Sequence, residues 1–159
     1  MFDRKKKGAV IVDMDGTLVD VSGIRHYVRD TLLPDGTYAK DKDFDAFHKA
    51  SVLCPAHHNV IDMCEYHWLS KRDILIVTAR SEQYKKISTD WLYKYAVPYT
   101  KIFMRKVGDF RSDVDVKRDI LDEIAQNWFP FHAIDDNPNV ISLWRENGIP
   151  VTVIPGWED

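Results

Sequence analysis

Short β-branched runs alternate along the chain with segments whose apolar residues recur at helical spacing. That alternation is the signature of a βαβ protein with a mostly parallel sheet covered by helices on both faces. It predicts strands over residues 8–13, 73–78, 100–104, 131–135 and 151–154. Between them, Tyr84, Ile87, Trp91 and Tyr95 mark one apolar helix stripe, and Val116, Ile120, Ile124 and Trp128 mark another. Ser81 and Ser112 are predicted N-cap residues, and Pro138 suits a first helical turn. The polar clusters therefore fall where strands end and helices begin, the carboxyl edge at which open α/β sheets bind ligands. The stretch 21–72 is long for a single crossover and carries turn signals at Pro34-Asp35-Gly36 and Cys54-Pro55, so it has room for a small helical cap.

Composition narrows the reading without redirecting it. With 159 residues, 45% apolar and 12% aromatic, the chain suits one domain over 1–159 with a real core. A net charge of -3 gives no footprint of a protein that binds nucleic acid over its whole surface. Two cysteines are too few for a disulfide framework, and no apolar run is long enough to cross a bilayer, so a cytoplasmic setting without membrane contact is expected. Lys5, Lys6 and Lys7 read as a solvated cluster. The pairs Cys54/His57 and Cys64/His67 have a zinc-like spacing, but Cys64 falls on an apolar helix side with Val60 and Trp68 and reads as a small buried hydrophobe.

The candidate chemistry is acidic. The run Ala9-Val10-Ile11-Val12 leads directly into Asp13-Met14-Asp15-Gly16-Thr17, which puts two carboxylates one residue apart at a strand end. Carboxylates that close repel unless a cation compensates, so the pair points to a divalent metal and to two distinct roles. Gly16 lets the chain turn sharply and bring Asp15 back over the pocket of Asp13. A second acidic pair, Asp135-Asp136, closes another strand, and Mg²⁺ with its oxygen shell fits ligands drawn from Asp13, Asp15, Asp135 and Asp136. Thr78 and Arg80 end a third strand with a hydroxyl and a guanidinium suited to phosphate oxygens. Lys117 offers a point charge near a helix start, with Asp113 one turn earlier. No Gly-rich loop ending in Gly-Lys-Ser/Thr occurs, so no ATP-binding P-loop is expected.

The ordered set Asp13-x-Asp15-Gly-Thr, Thr78, Lys117 and Asp135-Asp136 resembles the haloacid dehalogenase superfamily of phosphatases over nearly the whole chain. The resemblance implies a Rossmann-like three-layer α/β sandwich and phosphoryl transfer through an aspartyl-phosphate. Asp13 is then the nucleophile, Asp15 the general acid and base, and Thr78 and Lys117 stabilise the transferring group. Asp135 and Asp136 would hold Mg²⁺ with Asp13 and the Met14 carbonyl. The run from Arg105 to Lys117 and the ending from Asp135 through Ile149 are similar to the 3'-phosphatase domain of phage polynucleotide kinases. That likeness adds Arg80, Asp113 and Arg25 as site residues, and suggests a viral or host origin.

Substrate clues are local. Arg105, Lys106 and Arg111 offer positive charge in a loop at a strand end, and Tyr27, Phe44, Phe47 and His48 in the cap segment offer aromatic contact for a base or sugar. The expectation is a phosphomonoesterase that removes 3'-phosphates from nucleic-acid ends or nucleotides, working beside a separate kinase or ligase. A mononucleotide phosphatase of the same fold and a binding module that has lost the chemistry remain as alternatives.

Overall fold

Val10 and Val12 point into one apolar cluster while Ala9 and Ile11 point into another, as the two-residue period of a strand buried on both faces requires. The computed structural model describes residues 1–29, 31–32, 34–39 and 42–157. In chain order the elements are β1 (Lys7–Val12), a hairpin of β2 (Thr31–Leu32) and β3 (Tyr38–Ala39), α1 (Phe44–Ala50), α2 (His58–Leu69), β4 (Asp73–Ser81), α3 (Lys85–Lys94), β5 (Lys101–Arg105), α4 (Asp113–Ala125), β6 (Trp128–Asp135), α5 (Pro138–Glu146) and β7 (Val151–Val153). Five strands form a sheet in the order β5-β4-β1-β6-β7 with every pairing parallel.

Two layers of helix cover the sheet. Val60, Ile61 and Cys64 of α2 and Trp91 and Leu92 of α3 pack on one face. Val116, Ile120, Leu121 and Ile124 of α4 and Val140, Leu143 and Trp144 of α5 pack on the other. The chain leaves β1 toward β4 and β5 on one side, then returns to β6 and β7 on the other, so the crevice where ligands bind opens between the ends of β1 and β6. Among the described residues no helix is long and apolar enough to cross a membrane.

The capping expectations hold: Ser81 accepts from the Gln83 N–H, Ser112 from the Asp115 N–H, and Pro138 opens α5. Two helical stripes are shorter than predicted. Tyr84 lies in a 3-10 turn before α3, where its hydroxyl donates to Asp45 at 2.7 Å. Trp128 opens β6 instead of closing α4, and its indole N–H donates to Asp73 at 2.8 Å. Strand β6 begins earlier than the pattern suggested because it accommodates Pro130, which lacks an N–H, at a register shift opposite Ala9/Val10.

The long segment 21–72 divides in two, with residues 30, 33, 40 and 41 lying outside the described ones. Helix α2 is an ordinary crossover helix packed on the sheet; the hairpin and α1 are the inserted part. Within α1, His48 is 8% exposed and its Nδ1 has no hydrogen-bond partner among the described residues. Its ring lies 4.6 Å from Tyr84 and 5.3 Å from Phe47 between centroids.

Leu75, wholly buried at the centre of β4, leaves a hole when cut to alanine, so Leu75→Ala is expected to cost about 3 kcal/mol in equilibrium urea unfolding. Tyr93→Ala, at an exposed position of α3, should stay within about 0.5 kcal/mol. Burial, with help from Arg80 and against Asp15, Asp45 and Asp113, pushes the His48 pKa down to about 4. The unfolded chain then takes up the proton first, so the stability due to neutral His48 is complete above an ordinary histidine pKa and is lost as pH falls toward 4. His48→Phe should flatten the fall in melting temperature over that acidic window, read from thermal unfolding across a pH series.

Candidate active site

Asp13 leaves the end of β1 as a buried residue, 7% exposed. Its Oδ1 accepts from Lys117 Nζ at 2.8 Å and its Oδ2 from the Thr17 hydroxyl at 3.1 Å. The turn that follows depends on Gly16, whose φ of +81° is a left-handed conformation. A Cβ there would sit 2.0 Å from Asp136 Oδ2, so the glycine also allows the backbone to approach the acidic pair of β6. The hydroxyl of Thr17 lies 3.2 Å from Asp136 Oδ1 as well as facing Asp13.

The carboxylates of Asp13, Asp135 and Asp136 bring one ligand oxygen each within 4.8 Å of one another, all three buried. Burial, with the charges of Asp135 and Asp136 adding, pushes the Asp13 pKa up despite Lys117 beside it. Burial and Asp135 raise Asp136 in the same way. Lys117, buried at the start of α4, is held firmly protonated by Asp13 and Asp135 although burial opposes it. One ammonium group thus faces three carboxylates, and the donor set of hard, charged oxygens fits a divalent cation such as Mg²⁺.

The three acids are not equivalent. Asp135 Oδ1 accepts from the Asp136 and Asn137 backbone N–H groups at 2.9 and 3.1 Å, and its Oδ2 from Lys117 at 3.3 Å and Trp144 Nε1 at 3.2 Å. Those four donors use the whole acceptor capacity of a carboxylate. Asp13 and Asp136 each keep acceptor positions open among the described residues.

Asp15, also expected among the ligands, stands outside this group of three carboxylates. Its carboxylate is taken instead by Arg80, whose Nε donates to Oδ2 at 2.9 Å and Nη2 to Oδ1 at 2.5 Å. Burial would raise the Asp15 pKa, but the Arg80 guanidinium outweighs it and holds the carboxyl below its ordinary value. The Met14 carbonyl accepts the N–H groups of Thr17 and Val19 at 3.1 and 2.9 Å, so its two lone pairs are already engaged inside the turn.

A cavity of about 570 Å³ opens over these groups and is lined by Asp13, Asp15, Thr78, Arg80, Lys117 and Asp136 at the sheet edge, and by Phe44, Phe47 and His48 of α1 opposite. Thr78, near the end of β4, accepts the Arg80 N–H at 3.2 Å, and its hydroxyl hydrogen has no acceptor among the described residues. Arg80 is 3% exposed and also donates Nη1 to Ser88 at 3.0 Å. Three of its five N–H groups are therefore committed within the protein. Arg105 reaches the cavity too, but its guanidinium is spread over the Ala79, Asp109 and Arg111 carbonyls and the Asp113 carboxylate. It braces the loop before α4.

Arg111 departs from expectation altogether. It does not line the cavity, and its guanidinium pairs with Asp109 and Asp119 on the surface at 2.9 and 2.7 Å. Arg25 lines the cavity, yet it donates to the Gly156 carbonyl at 2.6 Å. Cys54 and Cys64 are buried free thiols, that of Cys64 pushed by burial up to about 12, and no ligating cluster among the described residues includes them. Sequence reasoning missed Ser88, Trp144 and Trp157, whose indole N–H donates to Asp136 Oδ2 at 2.9 Å. No spacing rule marks a lone serine or tryptophan as the partner of a distant charge.

Comparison with known proteins gives this geometry a family. A chain of the Pnkp1/Rnl/Hen1 RNA repair complex superposes with a TM-score of 0.78 at 23% identity, over 98% of the present chain and 44% of that one. A second structure of the Pnkp1/Rnl/Hen1 complex gives 0.80 at 22%, over 100% and 50%. The present chain thus spans about half the length of those two. The class C acid phosphatase from Bacillus anthracis with tungstate bound gives 0.67 at 18%, over 94% and 67%. At such identities these likenesses establish the fold. Residues 30–155 match the family model of the polynucleotide kinase PNKP phosphatase domain, a stretch that begins after Asp15 and stops before Gly156. The chain belongs to that family, within the haloacid dehalogenase-type phosphatases.

Proposed function

We propose that the chain is a Mg²⁺-dependent phosphomonoesterase that works through an aspartyl-phosphate on Asp13 and removes 3'-phosphates from nucleic-acid ends. The observation that carries this reading is the pairing of two differently held acids on one cavity floor. Asp13 is tied to Lys117 beside further carboxylates, and Asp15 is gripped by Arg80. The likeness to a chain of an RNA repair complex supports a nucleic-acid end as substrate, and the family adds weight to phosphatase chemistry. A separate kinase or ligase would then use the hydroxyl end that is left.

In this reading an Asp13 oxygen attacks phosphorus as the bond to the leaving oxygen breaks, and Asp15 delivers a proton to that oxygen. Water then attacks the aspartyl-phosphate, gives its proton to Asp15, and phosphate departs as the Asp13 carboxylate is restored. The low pKa of Asp15 suits the second step. An incoming phosphate dianion beside it raises that pKa and favours the protonated acid needed in the first. Lys117 and the Thr78 hydroxyl stabilise the spread negative charge of the transferring group. Asp13 and Asp136, with Asp135 behind them, would hold Mg²⁺, which supplies charge neutralisation.

A mononucleotide phosphatase is the second reading. It is favoured by the volume of the cavity, about 570 Å³ and roofed by α1, which suits a single nucleotide. One assay separates the two: Mg²⁺-dependent phosphate release from a 3'-phosphorylated oligonucleotide, its 5'-phosphorylated twin, and free 3'- and 5'-mononucleotides. Selective release from the 3'-end is expected, and release confined to mononucleotides would move the assignment to the second reading. Asp13→Asn should lower turnover by at least about a thousandfold on every substrate, and an undiminished rate would sink the aspartyl-phosphate mechanism.

A further inference from the structure

The two acids that end β6 are each met by a tryptophan. Trp144 is wholly buried in the core and donates its indole N–H to Asp135. Trp157 is 52% exposed, lines the cavity, and donates to Asp136 Oδ2 at 2.9 Å. Half-exposed, the Trp157 ring gains much less from burial than Trp144 does, so burial alone does not account for its position.

The chain around Trp157 is pinned at successive points. The Ile154 N–H donates to the Asp135 carbonyl at 2.9 Å. Arg25 Nη1 donates to the Gly156 carbonyl at 2.6 Å. Gly156 has a φ of +145°, and a Cβ there would lie 3.0 Å from Arg25 Nη2, so a glycine lets the guanidinium close on the backbone. Arg25 comes from the turn ahead of the inserted hairpin, which links that part of the chain to the end of β6 through Trp157.

What Asp136 receives from the Thr17 hydroxyl is shared with a second carboxylate. Thr17 has a single hydroxyl hydrogen and lies within reach of both Asp13 Oδ2 and Asp136 Oδ1, so it serves only one of them at a time. Trp157 by contrast brings Asp136 an indole N–H with no second acceptor among the described residues. An indole N–H on Oδ2 fixes the rotation of the carboxylate and leaves Oδ1 beside the Thr17 hydroxyl that also reaches Asp13, so Asp13 and Asp136 would together offer oxygens to a cation. Partners of this kind around a metal ligand are worth roughly 10- to 100-fold in metal affinity.

We infer that Trp157 is a positioning residue for the metal carboxylate Asp136, and that Arg25 acts through it by clamping the segment that carries it. The inference rests on the reading of Asp136 as a Mg²⁺ ligand, and makes Arg25 a brace of the metal centre instead of a direct phosphate contact. The test is calorimetric titration of Mg²⁺ alone into the wild type, Trp157→Phe, Arg25→Ala and the double variant, with the metal-free melting temperature recorded for each. Trp157→Phe keeps the ring and loses the donor. Its dissociation constant for Mg²⁺ should rise about tenfold or more, with the metal-free melting temperature unchanged. Arg25→Ala should weaken binding less, and the double variant should match Trp157→Phe, since both act on one contact. Wild-type affinity in Trp157→Phe, or losses that add in the double variant, would overturn the inference while leaving the metal site in place. A wild type that takes up no Mg²⁺ would remove the metal reading of Asp136 and this inference with it.

Discussion

Three carboxylates and one ammonium group share the seam between β1 and β6, and the rest of the site is arranged around that imbalance of charge. Asp13, Asp135 and Asp136 lie too close together to be comfortable as anions, and Lys117 offsets only part of their repulsion. The sheet supplies the rigidity that keeps them there. Strands β1 and β6 are hydrogen-bonded neighbours at the point where the strand order diverges, and both are buried on their two faces. Side chains at their carboxyl ends cannot drift apart without breaking the ladder.

Within that frame each acid is held differently, and the holding defines its chemistry. Asp135 spends all its acceptor capacity on Lys117, Trp144 and two backbone N–H groups. It shapes the turn into α5 and orients the lysine. Asp136 and Asp13 retain acceptor positions open among the described residues, and a divalent cation takes such oxygens. Asp15 belongs to another circuit: Arg80 clasps both its oxygens and is in turn bonded to Ser88 of α3. The two neighbouring aspartates are displaced in opposite directions, Asp13 upward by burial and Asp15 downward by the Arg80 guanidinium, so their surroundings treat them differently.

The inserted hairpin and α1 set the character of the cavity above the acids. Phe44, Phe47 and His48 form an aromatic wall facing a charged floor, a combination suited to an organic group that carries a phosphate. His48 is buried with a nitrogen that finds no partner among the described residues, and burial lowers its pKa to about 4, a cost that core packing alone does not call for. The basic residues of the loop before α4 contribute less than their charge suggests. Arg105 and Arg111 are occupied by carbonyls and carboxylates of their own neighbourhood.

The sequence by itself determined the layered α/β architecture and the acidic strand ends, because both depend on local patterns: two-residue alternation, caps, and Asp13-x-Asp15-Gly16 following a β-branched run. Its errors at element borders came where a tertiary contact overrode the stripe, as when Trp128 left the helical period to bond Asp73 from a strand. Only the tertiary structure decided which charges meet. The pairing of Arg80 with Asp15, of Trp157 with Asp136, and of Arg25 with Gly156 spans 65, 21 and 131 residues respectively. Such partners are chosen by where strands and helices lie in space, and no periodicity along the chain encodes them. The same physics withdrew Arg111 from the site: a long flexible side chain takes the nearest carboxylates, and these lie on the surface beside it.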